Sequence, residues 1–156
     1  MISEQERWRY ARQLMLPDLG LAAQDKLRAA CVLVVGAGGL GSPALTYLAA
    51  AGVGRLGIVD FDVVEESNLH RQPLHATADL GRFKTVSAAE KLRALNPYIE
   101  VVEHRERLVA NNAFELSRRW AEQRARMIDA HDPARSHEES SLYESCPSGH
   151  TAWDGK

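Results

Sequence analysis

The spacing of apolar positions changes several times along the chain, and each change marks an element. Cys31–Val35 is an unbroken, β-branched-rich apolar run, as expected of a parallel strand buried on both faces. Six glycine-rich positions follow at once, Gly36-Ala37-Gly38-Gly39-Leu40-Gly41, and then an alanine- and leucine-rich helix over Ser42–Ala51. A second strand over Leu56–Asp60 completes a strand–helix–strand unit. Further on, Val86, Ala89, Leu92 and Leu95 share one face of a helix over Gly81–Leu95, stopped by Asn96-Pro97. Ile99–Glu103 alternates as a third strand. Asn111 or Asn112 can cap a helix to about Arg126 with Ala113, Leu116 and Trp120 inward, and Met127-Ile128-Asp129 suits a short fourth strand. Ahead of all this, Ser3 and Glu6 have capping-box spacing for a helix ending near Pro17, and Asp18–Ala30 forms a second short helix. Strands alternating with helices predict an α/β fold, a Rossmann-like, doubly wound, mainly parallel sheet with an N-terminal helical arm. The expected division is an arm over 1–30, the Rossmann-like domain over 31–132 and a polar, largely disordered tail over 133–156.

The turn between the first strand and its helix carries the first chemical signal. Gly36 permits a tight turn, Gly38 lets backbone N–H groups approach a phosphate, and Gly41 lets the helix pack against the strand. The helix N-terminus adds oriented donors and a partial positive charge. Asp60, at the end of the second strand, is placed to accept bonds from ribose hydroxyls. This pattern points to a nucleotide but does not separate a dinucleotide from ATP.

The segment after the second strand narrows the choice. Asp60–Gln72 is polar and begins where strand ends open onto the ligand crevice. Asn68 offers an amide, and Arg71 a fork of donors matched to phosphate oxygens. Lys84 falls in the first turn of its helix, where a cation is disfavoured unless an anion is near. A dehydrogenase has no use for Asn68, Arg71 and Lys84 together.

Composition limits the partners. The 156 residues carry a net charge of −2, with 45% hydrophobic and 26% charged positions, so nothing global favours nucleic acid or an acidic membrane. No apolar run approaches the roughly 18 residues that span a bilayer, and two distant cysteines suggest no disulfide framework. A cytoplasmic location is the default expectation.

Five motifs stand in one order: Glu6–Gln13, Gly36–Ser42, Asp60-Phe61-Asp62, Ser67–Gln72 and Gly81–Lys84. In this the chain resembles the family of adenylyltransferases that activate ubiquitin-like sulfur carriers, the ThiF/MoeB/HesA type, relatives of ubiquitin-activating enzymes. The resemblance covers roughly residues 4–110. It implies that ATP sits on Gly36, Gly38, Gly39 and Gly41, with Asp60 on the ribose and Asp62 beside it. It implies that Asn68, Arg71 and Lys84 bind the triphosphate, and that Arg12 reaches across a homodimer interface to the phosphates of the other subunit. The implied reaction joins the C-terminal glycine carboxylate of a carrier ending in Gly-Gly to the α-phosphate of ATP, releasing pyrophosphate.

The last third departs from the family. Members run longer and carry a magnesium-binding aspartate in an Asp-x-x-Asp-Asn pattern, whereas Asp129 and Asp132 here are followed by Pro133. Asp132 is the candidate ligand for Mg2+. The paired Cys-x-x-Cys motifs that hold zinc in many members are expected to be absent. A sheet truncated after about its fourth strand, with a tail from about Ser117 that has diverged or been frame-shifted, makes a non-catalytic remnant the alternative. Action on another carboxylate, such as that of a modified tRNA base, is a variant within the family. An NAD-dependent oxidoreductase, resting on the glycine turn and Asp60 alone, is the reading from outside it.

Overall fold

A computed structural model describes residues 2–131, with side chains as far as residue 122. The arm begins with α1 (Glu4–Arg9) and α2 (Ala11–Leu14), separated at Tyr10, and continues with α3 (Gly20–Ala29). The capping box forms as expected: Ser3 Oγ accepts from the Glu6 N–H at 3.2 Å, and the Glu6 carboxylate accepts from the Ser3 N–H at 2.8 Å. The arm docks through polar contacts. Buried Tyr10 accepts through its hydroxyl from Asn96 Nδ2 at 2.8 Å, and the Gln13 and Gln24 side chains both donate to the Ala51 carbonyl.

Three strands follow, β1 (Cys31–Val35), β2 (Arg55–Val59) and β3 (Glu100–His104), joined by α4 (Gly41–Ala51) and α5 (Lys84–Leu95). They pair in parallel with β2 in the middle, in a register that sets Leu33 beside Gly57 and Gly57 beside Val102. Side chains alternate across the sheet, so Leu56, Ile58 and Val101 turn to one face. There they join Leu45, Ala49, Ala88, Ala89 and Leu92 in the hydrophobic core. The buried face of α5 differs from the expected one: Lys84, Thr85, Ser87 and Ala88 are buried, while Leu95 is 40% exposed. α5 packs against α4 as well as against β2 and β3, so its buried face is wider than a single apolar stripe.

The last helix, α6 (Ala110–His131), corrects the expectation of a fourth strand, since Met127, Ile128 and Asp129 continue it. From Ala110 to His131 no proline or glycine interrupts a run rich in alanine, glutamate, glutamine and arginine, and that propensity outweighs three residues of strand-like pattern. Asn112 does not act as an N-cap; it lies inside α6 and accepts from the Val109 N–H at 2.8 Å, the second half of a capping box. Leu116 and Trp120 turn inward as expected, and Trp120 covers the second face of the sheet at Gly57.

Candidate functional site

A cavity of about 900 Å³ opens at the C-terminal ends of β1 and β2. Its floor is the turn after β1. Gly36 has φ of 90°, a left-handed conformation that only glycine adopts without strain, which reverses the chain out of the strand. A Cβ at Gly41 would lie 1.7 Å from the Gly36 carbonyl oxygen, so the first turn of α4 touches the glycine turn directly. Gly38 is different, because a Cβ there would meet only Gln72 Nε2 at 3.7 Å, an ordinary contact. Glycine at 38 therefore leaves its backbone open on the cavity side rather than relieving a clash within the chain.

Asp60 stands at the end of β2 with 8% exposure. One carboxylate oxygen accepts from the Ala37 N–H at 2.7 Å and the other from the Asp62 N–H at 2.8 Å. It therefore ties the glycine turn to the end of β2, and any bond to a ribose would use the remaining lone pairs. Asp62 in turn accepts from Lys84 Nζ at 3.2 Å. This resolves the cation at the start of α5: its anion is Asp62, and Lys84 is buried with its ammonium on the cavity wall. Lys84 is positioned by its own backbone as well, since its N–H donates to the Asp62 carbonyl at 3.0 Å.

A short 3-10 turn over Glu66–Asn68 carries the opposite wall. Asn68 is buried and donates weakly to Ser67 Oγ at 3.3 Å. Arg71 donates one guanidinium N–H to the Ser67 carbonyl at 2.8 Å, which orients the group and leaves its other donors available. Gln72 is 3% exposed, lines the cavity, and its Oε1 has no hydrogen-bond partner among the described residues. The remaining wall is the loop after β3, Glu106 to Val109, where Arg107 lies 4.2 Å from the centre of the Phe61 ring. Asn112 Nδ2 donates to the Arg107 carbonyl at 2.8 Å and fixes that loop to the start of α6.

Of the residues singled out from sequence, Gly36, Gly38, Asp60, Asp62, Asn68, Arg71 and Lys84 meet on this cavity. Gly39 and Gly41 lie behind it, Gly39 next to Arg71 and Gly41 against Gly36. Arg12 is exposed on α2 and does not line the cavity. Asp132 lies outside the described residues, as does the tail over 133–156, and Asp129 belongs to α6 rather than to a strand end. The third contribution to the site comes from the loop after β3, not from a fourth strand. Gln72 and the Glu106–Val109 loop were not anticipated. The first stood in the same polar run as Arg71, and the second follows from the rule that strand C-termini face the crevice.

Among the described residues no group of three or more His, Cys, Asp or Glu side chains is arranged to hold a metal ion. None of the described helices is long and apolar enough to cross a membrane.

The family described as "ThiF family" matches residues 10–139. The "Probable adenylyltransferase/sulfurtransferase MoeZ" of Mycobacterium tuberculosis is 55% identical over 119 residues, 76% of this chain and 30% of that protein. The "Adenylyltransferase and sulfurtransferase UBA4" of Eremothecium gossypii is 57% identical over 120 residues, again 76% of this chain and 27% of the relative. The chain thus spans about 30% or less of the length of these curated relatives. Among solved structures, E. coli tRNA N6-threonylcarbamoyladenosine dehydratase in complex with ATP superposes with a TM-score of 0.71 at 30% identity, over 76% of this chain and 48% of that one. E. coli MccB with AMPCPP and MccA gives a TM-score of 0.64 at 30% identity, over 70% of this chain and 34% of that one.

Proposed function

We propose, since the chain belongs to the ThiF family, that its cavity binds ATP and that the site serves adenylyl transfer to a carboxylate, the C-terminal glycine of a ubiquitin-like sulfur carrier ending in Gly-Gly. The observation that carries the reading is the juxtaposition on one cavity of a glycine turn open to a ligand with the amide of Asn68, the guanidinium of Arg71 and the ammonium of Lys84. Adenylyl transfer needs positioning and charge neutralisation more than a covalent nucleophile. The carrier carboxylate oxygen attacks the α-phosphorus, the bond from that phosphorus to the oxygen bridging the β-phosphate breaks, and pyrophosphate leaves with its electron pair. Arg71 and Lys84 offset the charge that accumulates on the departing oxygens, and Asn68 donates to a phosphate or ribose oxygen.

Three further assignments complete the reading. Asp60 orients the ribose side of the nucleotide while holding the turn. Arg12 is exposed on α2 and off its own cavity, which suits a homodimer in which Arg12 of the partner subunit completes the site. Mg2+ would accompany the triphosphate. The described residues form no cluster for it, so no step is routed through the ion, and its proposed ligand remains Asp132.

The test is calorimetric titration of the chain with Mg-ATP and with NAD, repeated on Arg71→Ala. Mg-ATP binds and NAD does not. Loss of Arg71 weakens Mg-ATP about tenfold or more, the scale of a hydrogen bond to a charged group, roughly 1.5–3 kcal/mol. Binding of NAD in place of ATP would sink the proposal. ATP binding without carrier-dependent pyrophosphate exchange would retain the nucleotide site and remove the transfer.

A further inference from the structure

Behind the glycine turn, on the side away from the cavity, lies a histidine whose place is not explained by nucleotide contact. His75 is 5% exposed and does not line the cavity. Its Nε2 is 3.0 Å from the Ala37 carbonyl oxygen and its Nδ1 is 2.9 Å from Ser87 Oγ. A carbonyl can only accept, so the ring proton is on Nε2, and Nδ1 accepts from the Ser87 hydroxyl. The surroundings enforce that tautomer. Lys91 Nζ donates to Ser87 Oγ at 3.1 Å and also to Asp79, so Ser87 accepts from the lysine and gives its own proton to the ring.

The target of this arrangement is one peptide unit. Ala37 is fully buried, and its carbonyl accepts a second bond, from Ser42 Oγ at 2.9 Å. That carbonyl belongs to the peptide joining Ala37 to Gly38. A trans peptide is planar, with its C=O and N–H pointing in opposite directions. Drawing the carbonyl back toward His75 and Ser42 therefore turns the Gly38 N–H the other way, on the cavity-lining residue. The Gly38 N–H has no hydrogen-bond partner among the described residues.

We propose that His75 is a positioning residue: by donating from Nε2 to the Ala37 carbonyl it holds the Ala37–Gly38 peptide so that the Gly38 N–H is presented to a phosphate. The phosphate half of this role rests on the nucleotide reading above; the holding of the turn does not. His75 reaches the turn from α5 through Ser87, while Lys84 reaches the cavity from the same helix one turn earlier. One helix end thus sets both the backbone donor and the cation. The charged groups facing the ring are Lys91, Lys84 and Asp79.

The experiment uses the full chain, labelled with 15N, without nucleotide and then with Mg-ATP. Long-range correlation spectra of the imidazole show the Nε2–H tautomer of His75; an Nδ1–H tautomer overturns the proposal. His75→Leu removes the donor, and His75→Gln restores an N–H at about the position of Nε2. In His75→Leu, amide exchange at Ala37 rises at least tenfold more than at the central amides of β2, and Mg-ATP binds at least tenfold more weakly. In His75→Gln both return to within about threefold of wild type. Unchanged relative exchange in His75→Leu, or no recovery in His75→Gln, overturns the role. Should the leucine variant not fold, Ser87→Ala decides, because releasing the tautomer raises exchange at Ala37 and an unaltered rate contradicts the proposal. If the wild-type chain does not bind Mg-ATP, the nucleotide reading fails on its own while the exchange rates still judge His75.

Discussion

The two faces of the sheet are built differently. Under α4 and α5, the side chains of Leu45, Leu56, Ile58, Ala88, Ala89 and Leu92 are wholly buried and form a continuous apolar layer. Under α6 the cover is one large ring: Trp120 lies over Gly57, edge-on to His104 at 6.0 Å between ring centres, with the Arg55 guanidinium 5.2 Å from it. Val35, on that same face, is 55% exposed, and Phe114 of α6 is 80% exposed. The site is wired to the first face, through Lys84 and Ser87 of α5 and the first turn of α4. A rigid apolar layer therefore backs the proposed chemistry, and the mixed face serves mainly to hold a helix.

That contrast can be broken most strongly at Leu92. Leu92→Ala leaves a cavity in a fully packed layer and should cost about 3 kcal/mol of folding stability. Denaturant unfolding measures the loss, and Mg-ATP affinity should fall with it because α5 loses its seat. Trp120→Ala removes a larger side chain, yet the Arg55 and His104 side chains that border it are polar and only partly buried, so the site can collapse. The expected cost is about 3 kcal/mol, the low end for a tryptophan, with Mg-ATP affinity within twofold of wild type by calorimetry. A greater loss of binding from Trp120→Ala than from Leu92→Ala would reverse the comparison.

The smallest effect is a pH dependence, and it sharpens the comparison because each side holds one shielded histidine, His75 buried and His104 partly buried. Burial lowers the pKa of His75 behind the turn and of His104 beside Trp120. The unfolded chain then takes up protons first as the pH falls, so stability is highest above about pH 6.5, where both states are neutral, and declines below it. His75→Gln and His104→Gln should each flatten the decline between pH 7 and 5 in thermal unfolding. Asp79 acts at lower pH. Burial opposes its ionisation, but bonds from Lys91 and the Ala76 N–H outweigh this and hold its pKa at about 2. Its contribution persists above about pH 4 and is lost only as the pH falls toward 2.

What could be seen in the sequence was what local chemistry decides. The strand at Cys31, the glycine turn, the capping box at Ser3 and the concentration of Asn68, Arg71 and Lys84 each needed only neighbours in the chain or a known turn geometry. Met127–Asp129 looks like a strand in isolation, but three residues of strand-like pattern do not outweigh the unbroken helical run they continue. The role of His75 was invisible for a different reason. Its partners Ala37 and Ser87 are brought to it only by packing α4 and α5 side by side, and no spacing rule links positions so far apart. The same holds for the pairing of Lys84 with Asp62, although there a cation at a helix start gave a local hint of a missing anion.

One feature of α5 bears on motion. The path from Ser87 through His75, Ala37, Asp60 and Asp62 returns to Lys84, so it starts and finishes within a single turn of one helix. In an open chain of contacts the positional scatter of each joint accumulates along its length. In a ring closed on one rigid segment the displacements must cancel around the circuit. The separation between the glycine turn and the lysine ammonium should consequently fluctuate less than that of either from the loop after β3, which lies outside the ring and is held by Asn112, Arg119 and the Arg107–Phe61 contact.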